Sequence, residues 1–126
     1  MKRKIRMGMV GGGPGAFIGA VHRMAAALDG EIELVCGAFS SKPEKSRAAG
    51  QDLYLSSDRV YDSYEDMINN ERKLPLGERM DFMSVVTPNL LHYGPARLAM
   101  DNGFHVVCDK PLCYDMKEAL ALKEVQ

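Results

Sequence analysis

A short apolar run, Ile5 to Val10, leads directly into Gly11-Gly12-Gly13-Pro14-Gly15-Ala16-Phe17-Ile18-Gly19. Four glycines and a proline within five residues deny the chain a continuous helix or strand at that point and force a sharp turn. The segment after the turn, Ala16 to Leu28, carries Phe17, Ala20, Val21, Met24 and Leu28 at helical spacing, so the loop joins a strand to a helix. Gly11-x-Gly13-x-x-Ala16 satisfies the pattern G-x-G-x-x-G/A in that setting. The first glycine of such a pattern permits the tight turn, and the second lets a pyrophosphate approach the backbone. The helix N–H groups and dipole then hold its negative charge. Gly11, Gly13, Pro14, Gly15, Ala16 and Phe17 are therefore candidate dinucleotide-binding residues, with Gly19 an alternative third glycine if the loop is longer. The plainer reading is a glycine-rich turn in some other α/β fold.

Downstream, apolar runs keep alternating with helical patterns. Ile32 to Phe39 is a second strand, nearly continuously apolar from Leu34, as suits a strand buried on both faces. Pro43 opens a helix, where its missing N–H costs nothing, with Ser41 or Lys42 as the cap position and Gly50 as its stop. Val60-Tyr61 is a possible short strand, and Ser63 caps a helix with Glu65 and Asp66 in its first turn. The charged stretch 70–80, with Pro75 and Gly77, reads as a surface loop. Phe82 to Val86 is a strand, Leu90 to Met100 a helix stopped by Asn102-Gly103, and His105 to Cys108 a strand. Asp115 caps a last helix with Glu118 as its capping-box partner. This order predicts an α/β fold, a Rossmann-like doubly wound parallel sheet in three layers, α/β/α, with five strands if Val60-Tyr61 counts.

The whole chain has 126 residues, enough for one domain of about 100–200 residues but short for a complete two-substrate enzyme. Sixteen basic residues against seventeen acidic ones leave no surplus of positive charge for a nucleic-acid backbone. The three cysteines, Cys36, Cys108 and Cys113, are odd in number and form no CxxC pair, which excludes a disulfide framework or zinc ribbon and points to a reducing cytoplasm. No His, Cys, Asp or Glu cluster has metal-ligand spacing, so no metal is expected. Arg6 and the glycines argue against a signal peptide, and no apolar run reaches the ~18 residues of a membrane helix.

In a doubly wound sheet, ligands bind beyond the carboxyl ends of the strands, and three further segments fall there. After the second strand, where a carboxylate would hold an adenosine ribose, stand Phe39-Ser40-Ser41-Lys42. Ser40, Ser41 and Lys42 suit a 2′-phosphate and lean the cofactor towards NADP over NAD; they equally serve as a turn and helix cap. Thr87-Pro88-Asn89, with His92 three residues on, follows the strand Phe82 to Val86 and points at the same crevice, or else is a loop with Asn89 as a helix cap and His92 exposed. Asp109-Lys110-Pro111 follows the last strand. A lysine there can hydrogen-bond a substrate hydroxyl and assist proton transfer; the alternative is an ordinary charged turn. His22 and His105 read as packing or surface histidines.

Taken in order, Val10-Gly11-Gly12-Gly13-Pro14-Gly15-Ala16 with His22-Arg23, Val86-Thr87-Pro88-Asn89 with His92, and His105-Val106-Val107-Cys108-Asp109-Lys110-Pro111-Leu112 resemble the N-terminal half of the glucose–fructose oxidoreductase / inositol dehydrogenase (Gfo/Idh/MocA) family. The resemblance runs from about Lys4 to the end of the chain. It implies residues 1–126 as the NAD(P)-binding Rossmann domain of a dehydrogenase of a sugar, inositol or related polyol, with an α/β substrate domain and homo-oligomerisation expected beyond them. It implies Lys110 as a catalytic residue touching substrate and nicotinamide, a cis bond before Pro111, and Thr87, Asn89 and His92 lining the crevice. Asp109 stands where the family carries Glu, one methylene longer. On this reading the isolated chain binds dinucleotide weakly and does not turn over. The rival readings are a non-enzymatic NAD(P)-sensing domain or a domain for another nucleotide or S-adenosylmethionine.

Overall fold

In a computed structural model describing residues 2–126, four parallel strands form one sheet in the order β2-β1-β3-β4. They are β1 (Ile5–Gly11), β2 (Ile32–Ala38), β3 (Phe82–Val86) and β4 (His105–Cys108), alternating with α1 (Phe17–Ala27), α2 (Pro43–Asp52), α3 (Tyr64–Glu71), α4 (Tyr93–Asp101) and α5 (Met116–Val125). The central strands β1 and β3 are largely buried because helices cover both faces, whereas β4 at the sheet edge leaves His105 and Val107 exposed. Met7 and Met9 point into a cluster with Phe39, Ala49 and Val86, against which Ile18 and Ala26 of α1 pack. Val10 points the other way, with Cys36 and Val85, into a cluster holding Met67 and Ile68 of α3 and Ala99 of α4. Burial holds the Cys36 thiol well above its ordinary range, as suits a small core hydrophobe.

The order reverses at β1, which pairs with β2 on one side and β3 on the other, so that Gly11 lies beside Val86. The crevice beyond the carboxyl ends opens at that switch point.

Several boundaries differ from expectation. The fifth strand shrinks to a single bridge between Val60 and Gly37, because Ser63 already caps α3, accepting the Asp66 N–H. Gly50 does not end α2: a Cβ there would fall 2.3 Å from Val60 Cγ2, so the glycine serves close packing, and the left-handed turn falls at Tyr54 (φ 57°). The helix expected from Leu90 begins only at Tyr93, after a 3-10 turn at Asn89–Leu91. Pro95 has no N–H to bond the Leu91 carbonyl, which instead accepts from Thr87 Oγ1 at 3.1 Å. The stretch 70–80 is a surface loop only in its middle. Glu71 closes α3 fully buried, accepting from Arg59 Nε (2.7 Å) and Nη2 (3.0 Å) and from the N–H of buried Met80 (3.1 Å). No helix among the described residues is long and apolar enough to cross a membrane.

Candidate functional site

The carboxyl ends of β1, β2 and β3 enclose a crevice of about 730 Å³, a size that suits a small-molecule or cofactor site. Its floor is the glycine loop. Gly11 adopts φ 87° and would put a Cβ 2.8 Å from Thr87 N, so only glycine lets β1 end against β3. A Cβ on Gly13 would sit 2.7 Å from the Phe39 carbonyl, which draws the loop against the end of β2. The third close approach belongs to Gly19 rather than Ala16: a Cβ on Gly19 would lie 2.5 Å from Gly12 Cα. The longer-loop alternative therefore describes the packing of α1 on its loop.

Two features of this floor fit an anion. The cap position of α1, Ala16, provides no side-chain acceptor and the first turn holds no acidic residue, whereas Ser63 and Asp115 cap α3 and α5. The first-turn N–H groups of α1 are left free for an external acceptor. Behind the loop, Arg23 Nη1 donates to the Gly12 carbonyl at 3.2 Å. Among the described residues no carboxylate pairs with it, and burial lowers its pKa. A partly desolvated cation without a counter-ion raises the potential of the loop in front of it.

Of the residues expected at the site, Gly11, Gly13, Pro14, Ala16, Ser40, Ser41, Thr87 and Pro88 line the crevice. Lys42 does not. It is the extended cap residue of α2, exposed, and the lysine that reaches the wall is Lys45, one helical turn on. Gly15 and Phe17 sit at the outer lip, Phe17 81% exposed, and Asn89 is exposed in the 3-10 turn rather than capping α4. Tyr64 and Glu65 of α3, Tyr93 of α4 and Glu118 of α5 complete the wall. Nothing in their local pattern separates them from ordinary helix residues, so only the fold brings them in.

Asp109, Lys110 and Pro111 leave β4 on the same edge of the sheet, Lys110 exposed and its bond to Pro111 cis. They do not line the crevice themselves. A histidine lies beside each flank of Lys110. On one side His22, from α1, has Nδ1 2.8 Å from Ser84 Oγ and Nε2 3.6 Å from the Asp109 carboxylate; it is a bridging group, not a surface one. On the other, His92 lies under the crevice rather than in it, fully buried. Next along, burial pushes the Cys108 thiol up to about 11, with Asp109 adding to the shift.

With this geometry in view, comparison with known proteins is direct. The profile of an oxidoreductase family with an NAD-binding Rossmann fold, Gfo/Idh/MocA, matches residues 5–126. The chain belongs to that family. It is 33% identical over 124 residues to an uncharacterized oxidoreductase, YfiI, of Bacillus subtilis, covering 98% of this chain and 31% of that protein. An oxidoreductase structure from Sinorhizobium meliloti superposes with a TM-score of 0.91 at 48% identity, over 98% of this chain and 34% of that one. An inositol dehydrogenase homolog from Azotobacter vinelandii, complexed with NADH and myo-inositol, gives 0.93 at 39% identity, over 99% of this chain and 32% of that one. The chain thus spans about a third of the length of the relatives it matches.

Proposed function

We propose that residues 1–126 form the dinucleotide-binding domain of an oxidoreductase acting on a CH–OH group of a sugar, inositol or related polyol. One observation carries the reading: an uncapped helix N-terminus and a glycine loop meet at the switch point of the sheet, on the edge from which Lys110 projects. The Azotobacter relative, complexed with NADH and myo-inositol, supports both the cofactor and the substrate class.

A nicotinamide ring bound there supplies the hydride chemistry. The chain's own contribution is placement and charge. Backbone N–H groups of the loop and of α1 hold the pyrophosphate, with Arg23 behind them. Lys110 donates to the substrate oxygen and steadies the charge that develops as its proton leaves. At the end of β2, Ser40, Ser41 and Lys45 offer hydroxyls and a cation, and the strand end carries no carboxylate. These groups favour a ribose 2′-phosphate, hence NADP over NAD.

Fluorescence titration of the chain with NADH and with NADPH tests the first part. No change in nicotinamide emission with either cofactor overturns the site, and tighter NADH overturns the NADP preference. Lys110→Ala in the longer protein, assayed against a polyol panel containing myo-inositol, tests the second. Loss of a transition-state contact lowers turnover by about 10²–10⁴-fold. Unchanged turnover would remove Lys110 from the mechanism, and absence of turnover by the unsubstituted protein on the whole panel would favour a sensing domain.

A further inference from the structure

His92 is fully buried, yet it does not line the crevice. Its ring sits between two backbone carbonyls: Nδ1 is 2.6 Å from the Pro111 carbonyl oxygen, and Nε2 is 2.8 Å from the Thr87 carbonyl oxygen. Both partners can only accept, so the tie is made by ring N–H: one donor in the neutral imidazole, which bonds one carbonyl and packs against the other, and both only in the imidazolium. Thr87 ends in the crevice wall, and Pro111 is the residue after Lys110. The ring therefore joins the loop beyond β3 to the loop beyond β4. No other side chain among the described residues bonds to the Lys110-Pro111 backbone. Lys110 itself is exposed and forms no ion pair among the described residues, so its direction is set by the backbone on which it stands.

We propose that His92 is a positioning residue for Lys110: a buried imidazole latch that fixes the Lys110-Pro111 loop against the Thr87 loop, so that the lysine is aimed at the mouth of the dinucleotide crevice. This rests on the reading of Lys110 as the substrate-facing group, and it assigns His92 a role distinct from contact with the cofactor. Apolar filling of the same space would support the core equally well but would not register the two loops. A small misplacement of a group that must meet a reacting atom is costly, about 10²-fold for 1 Å.

The test reads Lys110 without needing a substrate. The chain's lysines are dimethylated with 13C-formaldehyde, which keeps their charge, and the Lys110 methyl signal is assigned by its loss in Lys110→Arg. In the parent protein NADH is expected to move this signal. His92→Phe removes all ring N–H donation, and the NADH-induced movement of the Lys110 signal is then lost while the NADH dissociation constant changes by less than about threefold, the split expected of a residue that acts through another. His92→Gln keeps one N–H donor and retains a measurable part of the movement. An unchanged movement in His92→Phe overturns the latch. So does a tenfold or greater loss of NADH affinity in both variants, which would make His92 part of the binding site, and so does unfolding of both, which would make it a core residue only. Failure of NADH to bind the parent chain would instead sink the dinucleotide reading on which the proposal rests.

Discussion

Replacing Gly19 by alanine sets two effects of opposite sign against each other. Gly19 is the third residue of α1, and alanine is favoured over glycine in a helix by about 1 kcal/mol. With open space around it the substitution would stabilise the chain. The space is not open. The new Cβ would lie 2.5 Å from Gly12 Cα, 3.4 Å from Gly12 C and 3.2 Å from Arg23 Nη1. Carbon atoms at ease stand about 3.5–4.0 Å apart, so α1 and the loop must separate by roughly 1 Å. Overpacking of this kind costs about 1–3 kcal/mol, and the near neighbour is backbone, which cannot swing aside. The clash outweighs the propensity, and the expected net result is a chain destabilised by about 0–2 kcal/mol. The larger effect falls on binding, because the displaced loop is the one proposed above to cradle the pyrophosphate. NADH affinity should fall by about 5- to 150-fold, the same 1–3 kcal/mol expressed as a dissociation constant. Gly15→Ala is the control: nothing lies within 4 Å of its Cβ, but its φ is 81°, so it carries only the left-handed strain of about 1–2 kcal/mol. Thermal unfolding and fluorescence titration read both. A Gly19→Ala protein that melts higher and binds NADH as before would refute the packing of α1 on the loop.

Glu71→Ala leaves Arg59 and the Met80 N–H without their shared acceptor at a site that is fully buried on the glutamate side. The expected loss is about 3–5 kcal/mol, seen as a fall in Tm of about 10–20 °C, and a loss under about 1 kcal/mol would mean that water reaches the pair. Asp81 accepts from the Arg3 guanidinium and from the Arg6 N–H, which hold its carboxyl below the usual range, against the opposing effect of burial. A folded-state pKa below the unfolded one contributes stability that is present above the unfolded value, about 3.9, and is lost as pH falls through the lower folded value. Asp81→Asn should therefore lower stability at neutral pH and flatten the acid limb of a Tm-against-pH curve; an unchanged acid limb would remove Asp81 as its source.

The parts of this fold that were legible in the sequence are those written in backbone chemistry. Gly11, Gly13, Thr87-Pro88 and Lys110-Pro111 each mark the point where a strand runs out, and each lies at the carboxyl edge of the sheet as expected. Pro43, Ser63 and Asp115 mark helix starts for the same reason: a missing N–H or a short side-chain acceptor has a defined place relative to the first turn. Where side chains decide, the pattern misled. Leu90 and Leu91 look like the first turn of an apolar helix face, yet they are 65% and 57% exposed, because Pro95 moves the helix start beyond them. Glu71 sits in a run of charges and looks solvated, but its partner, Arg59, lies 12 residues earlier, a spacing no helical or strand period reports.

The histidines carry that lesson into the site. The local sequence reads His22 as a packing or surface residue and His92 as facing the crevice or exposed, whereas His92 is fully buried beneath the crevice. Their partners are 62 and 19 residues away, at Ser84 and Pro111, and become neighbours only because β1, β3 and β4 run parallel and end together. A parallel sheet with helices on both faces places α1 on one side of that edge and the start of α4 on the other, so a side chain from each can reach the segment leaving β4. His22 approaches Asp109 and His92 bonds Pro111, one residue to either side of Lys110. The Asp109 carboxylate stands 3.6 Å from His22 Nε2, beyond direct hydrogen-bond range, so the residue before Lys110 lies against the helix that begins at the glycine loop. Aiming a lysine from an exposed turn requires a fixed backbone beside it, and of the two helix layers that meet at this sheet edge it is the one carrying α4 that supplies a hydrogen bond there.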